Sequence, residues 1–141
     1  MKVRRILVPV KGSQIDAEII EFACNYARRV KAEVYAIYVI EVKRSLPLDA
    51  EMQPEMEWGE QILEQAERAA ESVDWRIQSE LLQAREIGPA IVDEAIERSV
   101  DVIVMGIPYS KRIGEFDMGK IVPYVLKNAP CRVWVLRDAR V

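Results

Sequence analysis

Five short runs of branched and apolar residues punctuate this chain, and each of the first four is followed by a segment with helical periodicity. The runs are RILVPV (5–10), VYAIYVI (34–40), WRIQSELL (75–82), VDVIVM (100–105) and CRVWVLR (131–137). Most show no alternation of polar and apolar residues, which is how a strand buried on both faces reads. WRIQSELL alternates more and reads as a strand near a sheet edge with one wetter face. Strand followed by helix, repeated to give β-α-β-α-β-α-β-α-β, predicts an α/β fold: a doubly wound parallel sheet with right-handed crossovers and helices on both faces. At 141 residues the chain fits one domain with one core.

The helices carry their own signals. Ser13 with Asp16 three residues later is a capping pattern. Ile15, Ile19, Phe22, Tyr26 and Val30 then recur at spacings of three and four and predict the buried face of the first helix. The segment 41–56 has two prolines, mixed charge and no periodicity, so it reads as a loop or insertion. Helical periodicity resumes from Glu57 to about Ser72, with Ile62, Ala66, Ala69 and Val73 on one side. Gly88-Pro89 opens the third helix, with Ile91, Ala95 and Ile96 as its apolar side. A last helix runs to about Asn128 and stops before Pro130.

Composition removes several functions. Half of the residues are hydrophobic, 30% are charged, and the net charge is −3, which disfavours a non-specific nucleic-acid binder. There is no histidine, hence neither the commonest general base nor the commonest metal ligand. Cys24 and Cys131 are far apart and lack CxxC spacing, so they read as buried thiols, not as a disulfide or a zinc site. The opening MKVRRILVPV is too short an apolar run for a signal peptide, and no run approaches the ~18 apolar residues of a membrane span. A cytoplasmic location is the default expectation.

In a doubly wound sheet, ligands bind beyond the carboxyl ends of the strands where the strand order reverses. The loops at that place are Lys11-Gly12-Ser13 and the stretch 106–119. RILVPVKGS, GPAIVDEAIERSVDVIVMG and NAPCRVWVLR, in this order and spacing, resemble the universal stress protein family over nearly the whole chain except 41–56. The resemblance implies a Rossmann-like sheet of order 3-2-1-4-5 and a homodimer. It implies two groups of members, one binding ATP through G-x2-G-x9-G-[ST] after the fourth strand and one lacking that pattern. Laid on this chain, the glycines fall on Gly106, which follows Met105, on Tyr109 and on Gly119, and the hydroxyl position falls on Lys120. The acid that the ATP-binding group often carries after the first strand falls on Lys11. Pro9 and Val39, which by the resemblance pack near an adenine, match.

The departures have physical consequences. Tyr109 cannot take a positive φ cheaply or clear the way for a phosphate; it either stacks on a base or covers an empty site. Lys120, where the last helix begins, opposes the helix dipole unless its stem carries the ammonium into solvent or an anion sits at the helix start. Pro123 shifts the expected helix start past residue 120. Lys11, Lys111, Arg112 and Lys120 can form an anion cluster around one crevice, although Glu115 and Asp117 share the loop and can neutralise much of it.

The candidate cofactor-binding residues are therefore Pro9, Lys11, Val39, Met105, Gly106, Tyr109, Lys111, Arg112, Gly119 and Lys120, with no metal ligand and no catalytic residue. The cofactor, if one binds, is ATP or another adenine nucleotide. The expected function is a non-enzymatic stress-response or regulatory homodimer with a degenerate nucleotide site; the alternative is an ATP-binding member using the 106–120 loop. An enzyme of a related fold would need an acid, base or metal cluster near strands 1 and 4. A receiver domain would need an acidic pocket where this chain has Lys11 and Met105-Gly106. The apolar fifth strand Cys131–Arg137, at the sheet edge by the resemblance, is expected to pair with its copy in a two-fold dimer. Met52, Met56 and Trp58 are candidates for a partner patch or for lid residues.

Overall fold

The structure, a computed structural model, describes residues 2–110, 115–116 and 118–140, with the side chains of 115 and 116 left aside. The first strand, β1 (Arg5–Pro9), lies at the centre of a five-stranded sheet. On one side of it come β2 (Glu33–Glu41) and then β3 (Gln78–Ala84); on the other come β4 (Val102–Ile107) and then β7 (Arg132–Arg137). Every pairing in this sheet is parallel, and Leu7 faces Tyr35 on β2 and Ile103 on β4. In order of appearance the five long strands therefore stand 3-2-1-4-5, as the resemblance implied.

Among the described residues, four helices cover the sheet: α1 (Asp16–Val30), α2 (Gln53–Ser72), α3 (Ile87–Glu97) and α4 (Ile121–Asn128). The alternation of side chains along β1 explains why its sequence is apolar throughout. Ile6 and Val8 enter one core with Ile20, Ala23 and Ala66, while Leu7 enters the other with Ile37, Ile91, Ile103 and Val125. All three β1 side chains are fully buried. Each such residue contributes about 1.5–3 kcal/mol relative to exposure.

Several expectations needed correction. The buried face of α1 is Ile19, Ile20, Ala23, Cys24 and Ala27. Phe22 and Val30, expected in the core, are each 42% exposed, and Ile96 on α3 is 57% exposed. Phe22 and Tyr26 instead meet Trp134 of β7 edge-on, with ring centroids 6.3 and 5.0 Å apart. Helix α1 ends where Lys31 takes a left-handed conformation (φ 60°), and the Ala32 N–H closes back on the Ala27 carbonyl at 2.9 Å.

The segment 41–56 is more ordered than its composition suggested. Arg85 donates to the carbonyls of Lys43 (2.6 Å) and Leu46 (2.8 Å), and Gln83 donates to those of Leu48 (2.9 Å) and Ala50 (3.0 Å). Helix α2 then starts at Gln53, four residues before the periodicity becomes visible, with Pro54 in its first turn. After β4 the chain makes a short antiparallel pair, β5 (Tyr109–Ser110) with β6 (Glu115–Phe116). Strands of two residues leave no periodicity to read.

Candidate functional site

Strand order reverses between β1 and β4, and a crevice of about 320 Å³ opens beyond their carboxyl ends. Its deep end is apolar. Pro9 and Val39 come from the ends of β1 and β2, Met105 from β4, and Ile87 and Ile91 from the facing turn of α3. Val39, Ile91 and Met105 are buried. The chain leaves β1 along this wall because the Val10 N–H still bonds the Ile37 carbonyl at 2.9 Å.

The outer end is polar. Lys11 follows β1, and Gly119 and Lys120 lead into α4; all three are exposed at the rim. Gly119 is left-handed, with φ 55°, which turns the backbone sharply into the helix. Lys120 is the residue before the first helical position, and the helix starts at Ile121, so Pro123 falls within its first turn. Gly106 forms part of the floor. A Cβ there would stand 2.9 Å from Ile19 Cγ1 and 3.1 Å from Ile15 Cγ2, so glycine is what lets α1 close against the end of β4.

Seven of the ten candidate residues line this one crevice: Pro9, Lys11, Val39, Met105, Gly106, Gly119 and Lys120. Tyr109 is not among its lining residues; it pairs with Phe116 in the β5–β6 ladder. Lys111 and Arg112 lie outside the described residues.

Asp16 is the crevice-lining carboxylate that the capping pattern concealed. The pattern assigns it a partner's role to Ser13, but no side-chain capping bond forms at the start of α1. Ser13 Oγ instead accepts from the Ile15 N–H at 3.4 Å. The Asp16 carboxylate reaches back, and its Oδ2 accepts from the backbone N–H of Gly12 at 2.8 Å and of Lys11 at 3.2 Å. It lines the same crevice as Lys11 and Lys120. Burial raises its pKa above the ordinary aspartate value, and the two amides and the Lys11 charge oppose that push. The signal was present in the sequence, since a carboxylate seven residues after the end of β1 can turn back and cap the intervening turn.

Neither cysteine has the character of a reactive thiol. Both are free; burial pushes Cys24 up to about 11 and also raises Cys131. Among the described residues no group of histidine, cysteine or acidic side chains is placed to hold a metal ion. No helix among them is long and apolar enough to cross a membrane.

Comparison with known proteins gives a consistent result. The family model described as the universal stress protein family matches residues 2–137. Universal stress protein MJ0531 of Methanocaldococcus jannaschii is 32% identical over 143 residues, covering 97% of this chain and 84% of that protein. The solved structure of the universal stress protein from Archaeoglobus fulgidus in complex with dAMP has a TM-score of 0.74 at 22% identity, covering 96% of this chain and 98% of that one. A universal stress protein solved in complex with cAMP has a TM-score of 0.72 at 16% identity, covering 96% and 98%.

Proposed function

The chain belongs to the universal stress protein family, and on that premise we propose that it binds an adenine nucleotide in the crevice between β1 and β4. One observation carries this reading. A single crevice joins an apolar slot formed by Pro9, Val39, Ile91 and Met105 to a rim bearing Lys11, Gly119 and Lys120. That is the division a nucleotide requires: a flat apolar base at one end and an anion at the other. The structural relatives solved with dAMP and cAMP support it. Lys120 then acts as a phosphate ligand, and the anion relieves the repulsion between this cation and the start of α4.

The nucleotide acts as a bound regulator of a stress response, not as a substrate. Asp16 is the one carboxylate among the described lining residues, and two backbone amides already engage it. The working form is a homodimer joined along Cys131–Arg137, in the cytoplasm. β7 is an edge strand whose central residues are half-buried, and a second copy would cover it.

A degenerate, unoccupied crevice is the second reading. The position of Tyr109 off the crevice lining favours it, because the loop then contributes one fewer group to a ligand. Calorimetric titration of the purified protein with ATP and Mg²⁺, with AMP and GMP as controls, separates the two. Binding of an adenine nucleotide at about 10 μM or tighter, some −7 kcal/mol, is the expected result. No heat at millimolar AMP and ATP would establish the degenerate site.

A further inference from the structure

We propose that Asp16 sets the number of phosphates the crevice accepts, so that adenosine with one phosphate binds and di- and triphosphates are disfavoured. This rests on the adenine-nucleotide reading of the same crevice.

The turn between β1 and α1 would ordinarily offer its backbone amides to a phosphate at the helix start. Here the chain supplies its own anion. Asp16 Oδ2 takes both the Gly12 and the Lys11 N–H groups, at 2.8 and 3.2 Å. Two donors that could cradle a second or third phosphate are therefore occupied, and a negative charge stands in their place.

Charge balance points the same way. The described lining residues carry two cations, Lys11 and Lys120, and one carboxylate, Asp16. A phosphate monoester carries about −1.5 to −2 near neutral pH. Two lysines answer one such group, and Gly119 and Lys120 lie together where α4 begins. A longer phosphate chain adds negative charge without adding a described cation, in a crevice that the Asp16 carboxylate also lines. Repulsion between like charges is strong where both are partly withdrawn from water. Asp16 meets that condition, being half-buried.

The test is a set of titrations with adenosine, AMP and ATP in the presence of EDTA, so that no divalent cation screens either anion. For the native chain, AMP is expected to bind at least about tenfold more tightly than ATP, as like-charge juxtaposition would impose. Asp16→Asn keeps an oxygen to accept the Gly12 N–H and removes the charge. It is expected to narrow the AMP-to-ATP ratio to within about threefold, mainly through tighter ATP binding. AMP binding by the variant also shows that it has folded; should it fail to fold, Asp16→Ser is titrated and read by the same ratio. ATP binding as tightly as AMP to the native chain, or an unchanged ratio in the variant, overturns the proposal while leaving the nucleotide reading intact. No binding of any of the three overturns both.

Discussion

Lys120 and Asp16 face one crevice with opposite charges, and each leads to a separate expectation. A hydrogen bond to a charged group contributes about 1.5–3 kcal/mol when sheltered from water. Lys120 stands at an exposed rim, so Lys120→Ala is expected to weaken nucleotide binding by roughly three- to tenfold without lowering the thermal stability of the free protein. Titration beside a melting curve checks both halves of that statement. For Asp16, burial raises the folded-state value above the ordinary 3.8. In the window between the two values the folded chain binds more protons than the unfolded chain, so stability falls as pH rises through it. The stability advantage of Asp16→Asn over the native chain is therefore expected to be largest near neutrality and to shrink on acidification into that window. Urea melts at several pH values read this directly, and an advantage that grows on acidification would contradict it. The role of Asp16 was only half legible beforehand. Its spacing from Ser13 suggested a cap, but the direction in which the carboxylate turns depends on where Lys11 and Gly12 leave β1.

The elements show where sequence patterns inform and where they mislead. β1, β2 and β4 were legible because both faces are buried and nothing polar interrupts them. The face of α1 was misread because Phe22 and Val30 are large and apolar, whereas the residues that touch the sheet include Ala23, Cys24 and Ala27. Small side chains allow close approach and carry a weak hydrophobic signal; the aromatics instead serve a contact with Trp134 on another element. A similar closeness joins α3 to α4. A Cβ on Gly88 would stand 2.8 Å from Cδ1 and 3.0 Å from Cγ of Tyr124, and a ring held on α4 cannot swing aside as a flexible chain end would. Gly88→Ala is expected to destabilise the protein by about 1–3 kcal/mol. It should also weaken nucleotide binding, because α4 carries Lys120 at its start. Denaturant melts and titration of the same variant check both effects, and unchanged affinity would show that α4 does not position the phosphate.

At the scale of the whole molecule, strand order places the crevice, and the edges decide how the molecule associates. The order was available from family likeness, not from any property of a single strand, since pairing partners far apart in sequence leave no local trace. The central place of β1 brings Lys11 beside Gly106, 95 positions away in the chain, at the one point where the sheet reverses. The two outer strands differ in cover. β3 is backed by Arg85 and Gln83 holding the segment after β2, whereas β7 has α1 aromatics on one face and, among the described strands, pairs with β4 alone. Sedimentation equilibrium at micromolar concentration is expected to give twice the chain mass, and a monomeric mass would remove the dimer from the account.

The measurement that bears most directly on nucleotide binding is amide NMR of isotopically labelled protein during titration with AMP. Shifts concentrated at Val39, Gly106, Gly119 and Lys120, saturating together with a single affinity, are the expected result. Shifts confined to residues away from the ends of β1 and β4, or no shifts at millimolar AMP, would contradict the claim that this crevice is the ligand site.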